Sequence, residues 1–467
     1  MIRSISLLTF LFITFGAIAQ KGYVVRDVSV IPMTSDTLLA HRDVIISGNK
    51  IKAIRNTGSP LPPGYKAISG TDKYLIPGLF DMHTHFFYEQ GEHVNTTELE
   101  LKLMLANGIT TARIMAGHPS YLDAREKVKR EEWPGPELFV ASPQFAGQWP
   151  FDTSFKNYEL VISPAVARDA VRKYKHQGYD LIKITFKVNR EVYDAIIDEA
   201  RKQNIQVTGH VGPLVTLPAA LPTGQQIEHM DEFIEYLLPD TTYNHGESVS
   251  DYNIYSKKAW ATVPFLDESK IPELASKVKA VGIFVTPTNY FFISFFGHPE
   301  DSAFIAVKPD LQFLPASMKE EKWSYKERYE QTMAPAASRD KYVRIRKAMV
   351  KALWQAGVPL MAGSDAPEFF IVAGFALHDE IATMVDAGLT TFAALQTATV
   401  NPARYLRTDK RTGTIEPGKE ADLLLLTDNL LENIRATKKI SGVFNNGKYY
   451  DRQQLDALLR EAKALAN

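Results

Sequence analysis

The chain of 467 residues has no cysteine. That excludes a disulfide framework, thiolate metal ligands and a lipidated cysteine near the start, so any metal must be held by histidine, carboxylate or modified lysine. A large excess of one charge is also missing: 53 Lys and Arg stand against 54 Asp and Glu, for a net charge of −1, and no basic run occurs. Nothing therefore argues for nucleic acid or an acidic membrane surface, and small neutral or amphipathic substrates are the default. Internal repeats and low-complexity tracts are absent.

The first residues do carry an apolar run, residues 5–17, behind a single positive charge at Arg3 and ahead of Ala17-Ile18-Ala19. The run is too short to span a bilayer, and the small residues supply a cleavage site. Residues 1–19 are read as a signal peptide cleaved after Ala19, with export to a periplasm or beyond and no membrane attachment afterwards. A homo-oligomer is left open.

Short strand-like runs follow at residues 23–31, 42–46 and 50–54, and the pattern returns at residues 422–427 and 440–450 around the turn Asn445-Asn446-Gly447. Neither group is large enough to bury a core alone. Residues 20–77 and 409–467 are read as two parts of one small β-sandwich, the second carrying a C-terminal helix, with residues 78–408 inserted between them. Inside that insert helical and extended patterns alternate: helices over residues 97–107, 164–176, 191–203, 271–281 and 342–356, each followed by an extended run. Such alternation predicts a parallel sheet and, summed along the chain, a (β/α)8 TIM barrel. Residues 236–270 and 291–340 break the rhythm, are rich in Tyr, Phe, Trp and Pro, and read as lids or pocket walls.

The chemistry begins at Leu75-Ile76-Pro77-Gly78-Leu79-Phe80-Asp81-Met82-His83-Thr84-His85. On a strand His83 and His85 leave the same face, so two imidazoles can grip one metal. Further on, Lys183, His210, His229 and Asp365 each close an apolar, strand-like run beside turn formers. At the carboxyl ends of barrel strands such residues would converge.

With these motifs in order, the chain resembles the amidohydrolase superfamily, and within it the branch containing imidazolonepropionase and the Xaa-Pro dipeptidase-like enzymes. The likeness runs from about residue 24 to about residue 448 and rests also on an entrance motif, Ile76 to Asp81, and an exit motif, Gly413-Thr414-Ile415-Glu416-Pro417-Gly418-Lys419-Glu420-Ala421-Asp422-Leu423. The resemblance implies two divalent ions, zinc first with manganese, iron or cobalt as alternatives. His83, His85 and Asp365 would hold one, His210 and His229 the other, and Lys183 would bridge them as an N6-carboxylysine. Asp365, with His229, would be catalytic, passing a proton from a metal-bound hydroxide to the leaving nitrogen of an amide-type C–N bond. Expected substrates are dipeptides, N-acyl amino acids or cyclic amides. A lactonase or esterase on the same site and an inactive metal-loaded binding protein are the alternatives, and the presence of Asp365 argues against the latter.

Charge bookkeeping agrees with this ligand set. Two dications among neutral imidazoles need anions, which Asp365, a carbamate and hydroxide supply, and a lysine ammonium there would be disfavoured. His41, His93, His118, His176, His245 and His298 lack a strand-end setting and read as surface or satisfied core. His378, Asp231 and Glu232 are placed near the site without an assigned role. Residues after His210, Val211-Gly212-Pro213, depart from the dipeptidase-like pattern, which puts recognition of a peptide carboxylate in doubt. The groups Phe86-Phe87-Tyr88, Tyr290-Phe291-Phe292 and Phe369-Phe370 point either to a large apolar pocket or to a rim packed under the lid.

Overall fold

The computed structural model describes residues 21–86, 96–148, 157–185, 187–212, 214–239, 257–299 and 301–466. The signal segment, Phe87, Tyr88, His93, Pro213, His245 and residues 240–256 of the first irregular segment lie outside the described residues. No helix among the described residues is long and apolar enough to cross a membrane.

Both ends of the chain enter one sheet of eight strands. Across it run Lys448–Asp451, Ile440–Asn445, Leu423–Leu426, Tyr74–Pro77, Gly22–Val30, Leu39–Ser47 and Lys50–Asn56, with Tyr65–Ser69 also paired to Gly22–Val30. The join between the ends is antiparallel, Leu423 opposite Pro77 through Leu426 opposite Tyr74. Four consecutive leucines make sense here because alternate residues point to opposite faces and both faces are covered. Leu423 and Leu425 pack with Val25, Val44 and Phe444 in the sheet's own core. Leu424 and Leu426 belong to the large core shared with the central part of the chain.

That central part holds two parallel sheets. One contains Leu79–Thr84, Ile109–Ile114 and Glu137–Val140; the other runs Tyr158–Leu160, Gln144–Ala146, Leu181–Ile184, Gln206–Gly209, Gln226–Glu228 and Val285–Thr286. A parallel bridge between Ala141 and Leu181 links them. On the other side residues 360–366 bridge Val285 through Leu360 and Thr84 through Ala366. Met361 N bonds the Val285 carbonyl and Met82 N the Ala362 carbonyl, both at 2.9 Å.

Helices between the strands start at caps that the sequence signals. Ser163 accepts from Val166 N ahead of Pro164–His176, and Asn189 accepts from Val192 N ahead of Arg190–Lys202. Ile271–Val281 stops at Gly282, which has φ of +70°. Residues 291–340 differ from the expectation of irregular chain, because they contain the helix Ala316–Thr332 and the start of Ala336–Gln355. The buried stripe of Ala316–Thr332 is Met318, Lys322, Lys326 and Tyr329. Its spacing is helical, but two lysines occupy places where an apolar period would be sought.

Gly108 (φ +77°) lets the two parts meet: a Cβ there would lie 2.5 Å from Leu424 Cδ1. Leu424 is therefore the contact through which the terminal sheet braces the central part. Leu424→Ala is expected to lower unfolding free energy by about 2–5 kcal/mol, read by denaturant titration. A change below about 1 kcal/mol would show that the two cores are not coupled at this leucine.

Candidate metal centre

His83 is the penultimate residue of the strand Leu79–Thr84 and His85 follows the strand, on the same face. Their Nε2 atoms lie 3.4 and 3.2 Å from Asp365 Oδ1. One donor atom from each of the three falls within 4.8 Å of the others, the spacing of a metal-binding trio. Asp365 is held in position by its backbone: its N donates to the His83 carbonyl at 2.7 Å, and His85 N to the Ala366 carbonyl at 2.7 Å. Gly363 permits this approach, since a Cβ there would meet His83 Cβ at 2.6 Å and Thr286 Cγ2 at 2.7 Å. Buried Asp81 fastens the preceding residue, accepting from Ser364 N at 3.0 Å and Ser364 Oγ at 2.6 Å. Burial outweighs these bonds and raises the Asp81 pKa to about 6.

The remaining residues singled out in the sequence arrive at the same place. The rings of His83 and His229 are 4.4 Å apart, and His210 stacks on His229 at 4.7 Å and 19°. His229 Nδ1 lies 2.7 Å from Thr288 Oγ1 and 3.6 Å from Asp365 Oδ2. Lys183 is fully buried in the strand Leu181–Ile184, opposite Thr208. Gly209 leaves room for its stem, because a Cβ there would be 3.0 Å from Lys183 Cδ. Burial first, then Lys183 and His85, hold the His83 pKa well below the usual imidazole value; burial, His83 and His210 do the same for His229. Both rings are neutral near pH 7 and keep a lone pair for a cation.

Three non-glycine residues at the centre have left-handed backbones, His229 (φ +62°), Thr288 (φ +46°) and Asp365 (φ +57°). Each such residue costs on the order of 1–3 kcal/mol, which the surrounding bonds must offset. Arg346, itself buried, helps: its guanidinium donates to the His229 carbonyl at 3.1 Å, the Pro287 carbonyl at 2.7 Å and Asn289 Oδ1 at 3.0 Å.

Arg113 and Glu228 form a second polar layer that sequence reasoning did not find. Glu228 Oε2 is 2.8 Å from His83 Nδ1, and Arg113 Nη2 donates to both Glu228 oxygens at 2.8 and 3.1 Å. All three side chains are buried. A carboxylate on Nδ1 turns Nε2 towards Asp365 and fixes the tautomer that presents a lone pair there. The signal was faint but present: Arg113 is a lone charge within an apolar strand, and such a charge needs a buried partner.

Other histidines lie apart. His378 Nε2 meets the Asn107 carbonyl at 3.1 Å and joins two helices. His118 caps Pro119–Lys129, and His41 and His298 pair with Asp27 and Asp340 at the surface. His176 ends a helix in solvent. Glu232 is buried close behind His229. Most aromatic residues pack on one another, Phe369 lying 3.5 Å from Phe295 and 5.4 Å from Phe291 between ring centres. Beside them is a small open cleft lined by Tyr290, Phe295, Lys308, Phe369 and Phe370. The aromatic groups are thus mainly the packed rim, with a smaller cleft at its edge.

This polar centre on a parallel α/β framework coincides with a family match. The amidohydrolase family model matches residues 74–449, and the chain belongs to that family. It is a hydrolase acting on carbon–nitrogen bonds, in a family that is generally metal-dependent. Among solved structures the chain is similar to a bottromycin amidohydrolase, with 23% identity over 96% of this chain and 91% of that one and a TM-score of 0.71. It is also similar to a Xaa-Pro dipeptidase with methionine bound in its active site, at 20% identity over 92% and 99% with a TM-score of 0.65. A third is ochratoxinase from A. niger, at 17% identity over 93% and 96% with a TM-score of 0.62. At such identities the likeness is one of fold. No curated protein matches the chain by sequence.

Glu228→Gln keeps the side chain's shape but removes the anion behind His83. Metal affinity is expected to fall about 10–100-fold, measured by metal titration against a competing chelator. Unchanged affinity would mean that packing alone orients His83.

Proposed function

We propose that the chain is an exported, metal-dependent amidohydrolase that hydrolyses an amide-type C–N bond of a small molecule, such as a dipeptide, an N-acyl amino acid or a cyclic amide. The framework in this reading is an eight-stranded parallel barrel, residues 78–408, braced by a β-sandwich built from both chain ends. The observation that carries the reading is the convergence of His83, His85 and Asp365 within 4.8 Å, with His229 and His210 stacked beside them. Nitrogen and carboxylate donors of this kind fit zinc, with manganese, iron and cobalt as alternatives.

His83, His85 and Asp365 would hold one ion, His210 and His229 a second, and Lys183 would bridge as a carboxylated lysine. When bound, the ions supply Lewis acidity that activates water and polarises the scissile carbonyl. The rest falls to the chain. Asp365 accepts a proton from the attacking water as its oxygen bonds the carbonyl carbon, then delivers that proton to the nitrogen as the C–N bond breaks. His229, fixed by Thr288 at Nδ1, faces the same reacting centre. The names of the similar structures, an amidohydrolase and a dipeptidase among them, support an amide substrate. A screen of dipeptides, N-acyl amino acids, cyclic amides and lactones with metal-reconstituted protein tests the reaction class, and turnover of lactones alone would replace it.

Elemental analysis of active protein is expected to find about two transition-metal ions per chain, since the donor set exceeds one tetrahedral shell. Lys183→Ala should lose the second ion and most activity, with partial rescue by a short carboxylic acid. Full activity with one ion would replace the binuclear site by a mononuclear one.

Asp365→Asn keeps shape but removes the proton acceptor. Turnover is expected to drop at least roughly 10²-fold at neutral pH while the protein stays folded, measured on any substrate found in the screen. Near wild-type turnover with full metal content would transfer the proton role elsewhere.

A further inference from the structure

A helical stretch, Asn289–Phe291 running on into Phe292–Gly297, starts directly behind Thr288, whose carbonyl accepts from Phe292 N at 3.5 Å. A threonine at such a start ordinarily turns its hydroxyl onto the second or third N–H of the helix. Thr288 makes no such bond; its Oγ1 lies 2.7 Å from His229 Nδ1 instead. The second N–H, that of Tyr290, donates to Glu380 Oε2 at 2.7 Å. Glu380 comes from a different helix, Phe375–Asp386, and is fully buried.

The reaction scheme gives this carboxylate no task. Its other bond is to Thr383 Oγ1 at 3.4 Å, one turn further along its own helix. Arg346 holds the same turn from the carbonyl side, through the Pro287 carbonyl and Asn289 Oδ1, while Glu380 holds it from the N–H side. Burial pushes the Glu380 pKa up to about 7, against the pull of the Tyr290 and Asn289 N–H groups and of Arg346. Without Glu380 the Tyr290 N–H would lose its acceptor, and an enclosed donor without one is costly. The Thr288 hydroxyl is the acceptor that a helix start ordinarily offers, but turning to Tyr290 would release His229. We propose that Glu380 is a positioning residue for the metal centre: it takes over the cap of the Thr288 turn and so reserves the Thr288 hydroxyl for His229, which is held with its proton on Nδ1 and its lone pair on Nε2. The consequence for catalysis rests on the amidohydrolase reading, whereas the bonds themselves involve no metal.

The test follows the ring nitrogens of His229 by NMR in the metal-free full chain at mildly alkaline pH, where Glu380 is ionised. His83, whose Nδ1 is held by Glu228 at 2.8 Å, is the internal control. Wild type is expected to show a slowly exchanging Nδ1 proton on both rings. Glu380→Leu, which fills the space without an acceptor, should lose that proton on His229 and keep it on His83. Glu380→Gln retains a neutral acceptor and should exchange the His229 proton at an intermediate rate. Zinc affinity, measured against a competing chelator, should fall about tenfold in Glu380→Leu. Thr288→Val should lower it by a similar factor, and the double variant no further, because both changes act through one bond. An unchanged His229 signal or zinc affinity in Glu380→Leu would overturn the proposal, as would losses that multiply in the double variant. Loss of both ring protons together would also overturn it, by making Glu380 a general support of the core. If Glu380→Leu does not fold, Glu380→Gln decides, and exchange at His229 as slow as in wild type would overturn the proposal. Failure of the wild type to hydrolyse any amide would remove the amidohydrolase reading, while the comparison of ring protons, made without metal or substrate, would still decide whether Glu380 sets His229.

Discussion

The buried ion pair between Arg113 and Glu228 is the interaction on which the centre of this protein depends. Neither side chain reaches solvent, and an uncompensated charge in such a place costs many kcal/mol. Compensation comes from neighbouring strands: Arg113 Nε donates to the Met82 carbonyl at 2.6 Å, its guanidinium also bonds Gln226, and Thr208 Oγ1 donates to Glu228 at 2.5 Å. Gln226 in turn donates to Thr286 Oγ1 at 2.9 Å. Five parallel strands are thereby tied at one level. A register slip in any of them would strip a partner from a buried charge, so the pair selects one alignment of the strands.

That alignment determines what lies one step further along each strand. Past Met82 comes His83, past Thr208 the Gly209-His210 corner, past Glu228 comes His229, and past Thr286 the Thr288 that bonds His229. His83 and His229 directly follow residues of the polar layer and His210 lies two past Thr208, so a network that orders the core also aims these three ligands. At the site, strain enters just beyond this layer, at the left-handed His229, Thr288 and Asp365. Arg346 and Asp81 are the anchors that keep those turns from relaxing.

Much of this was legible in the sequence because it used signals that survive without neighbours. Ser163 and Pro164, or Ile271 and Gly282, mark helix ends through local backbone chemistry. His83, His85, Lys183, His210, His229 and Asp365 stand out because each ends an apolar run; the structure groups His83, His85 and Asp365, stacks His229 and His210 beside them and buries Lys183 on a strand of the same sheet. Arg113 and Glu228 did not stand out, since their meaning lies in partners far away along the chain: Glu228 in isolation is an ordinary acid beside a histidine. The helix Ala316–Thr332 was hidden for a different reason, because Lys322 and Lys326 occupy its buried face and break the apolar period. The aromatic groups left pocket and packed rim equally open, for a phenylalanine beside a ligand reads the same whether its ring meets substrate or another ring.

Lys322 also shows how the outer layer communicates with the inner one. Its ammonium bonds the carbonyl of Pro367, between Asp365 and Glu368, so the helix Ala316–Thr332 is fastened to the loop that bears both carboxylates. The ligand-bearing strands are fixed from below by Arg113 and Glu228, whereas this loop is fixed from above. Changes in the covering helix can therefore reach the Asp365 loop through the Pro367 carbonyl, and that loop is itself bonded to the His83 carbonyl. The solved structures similar to this chain at 17–23% identity over more than nine-tenths of it share its fold, and segments laid over a rigid framework are where a fold best tolerates change.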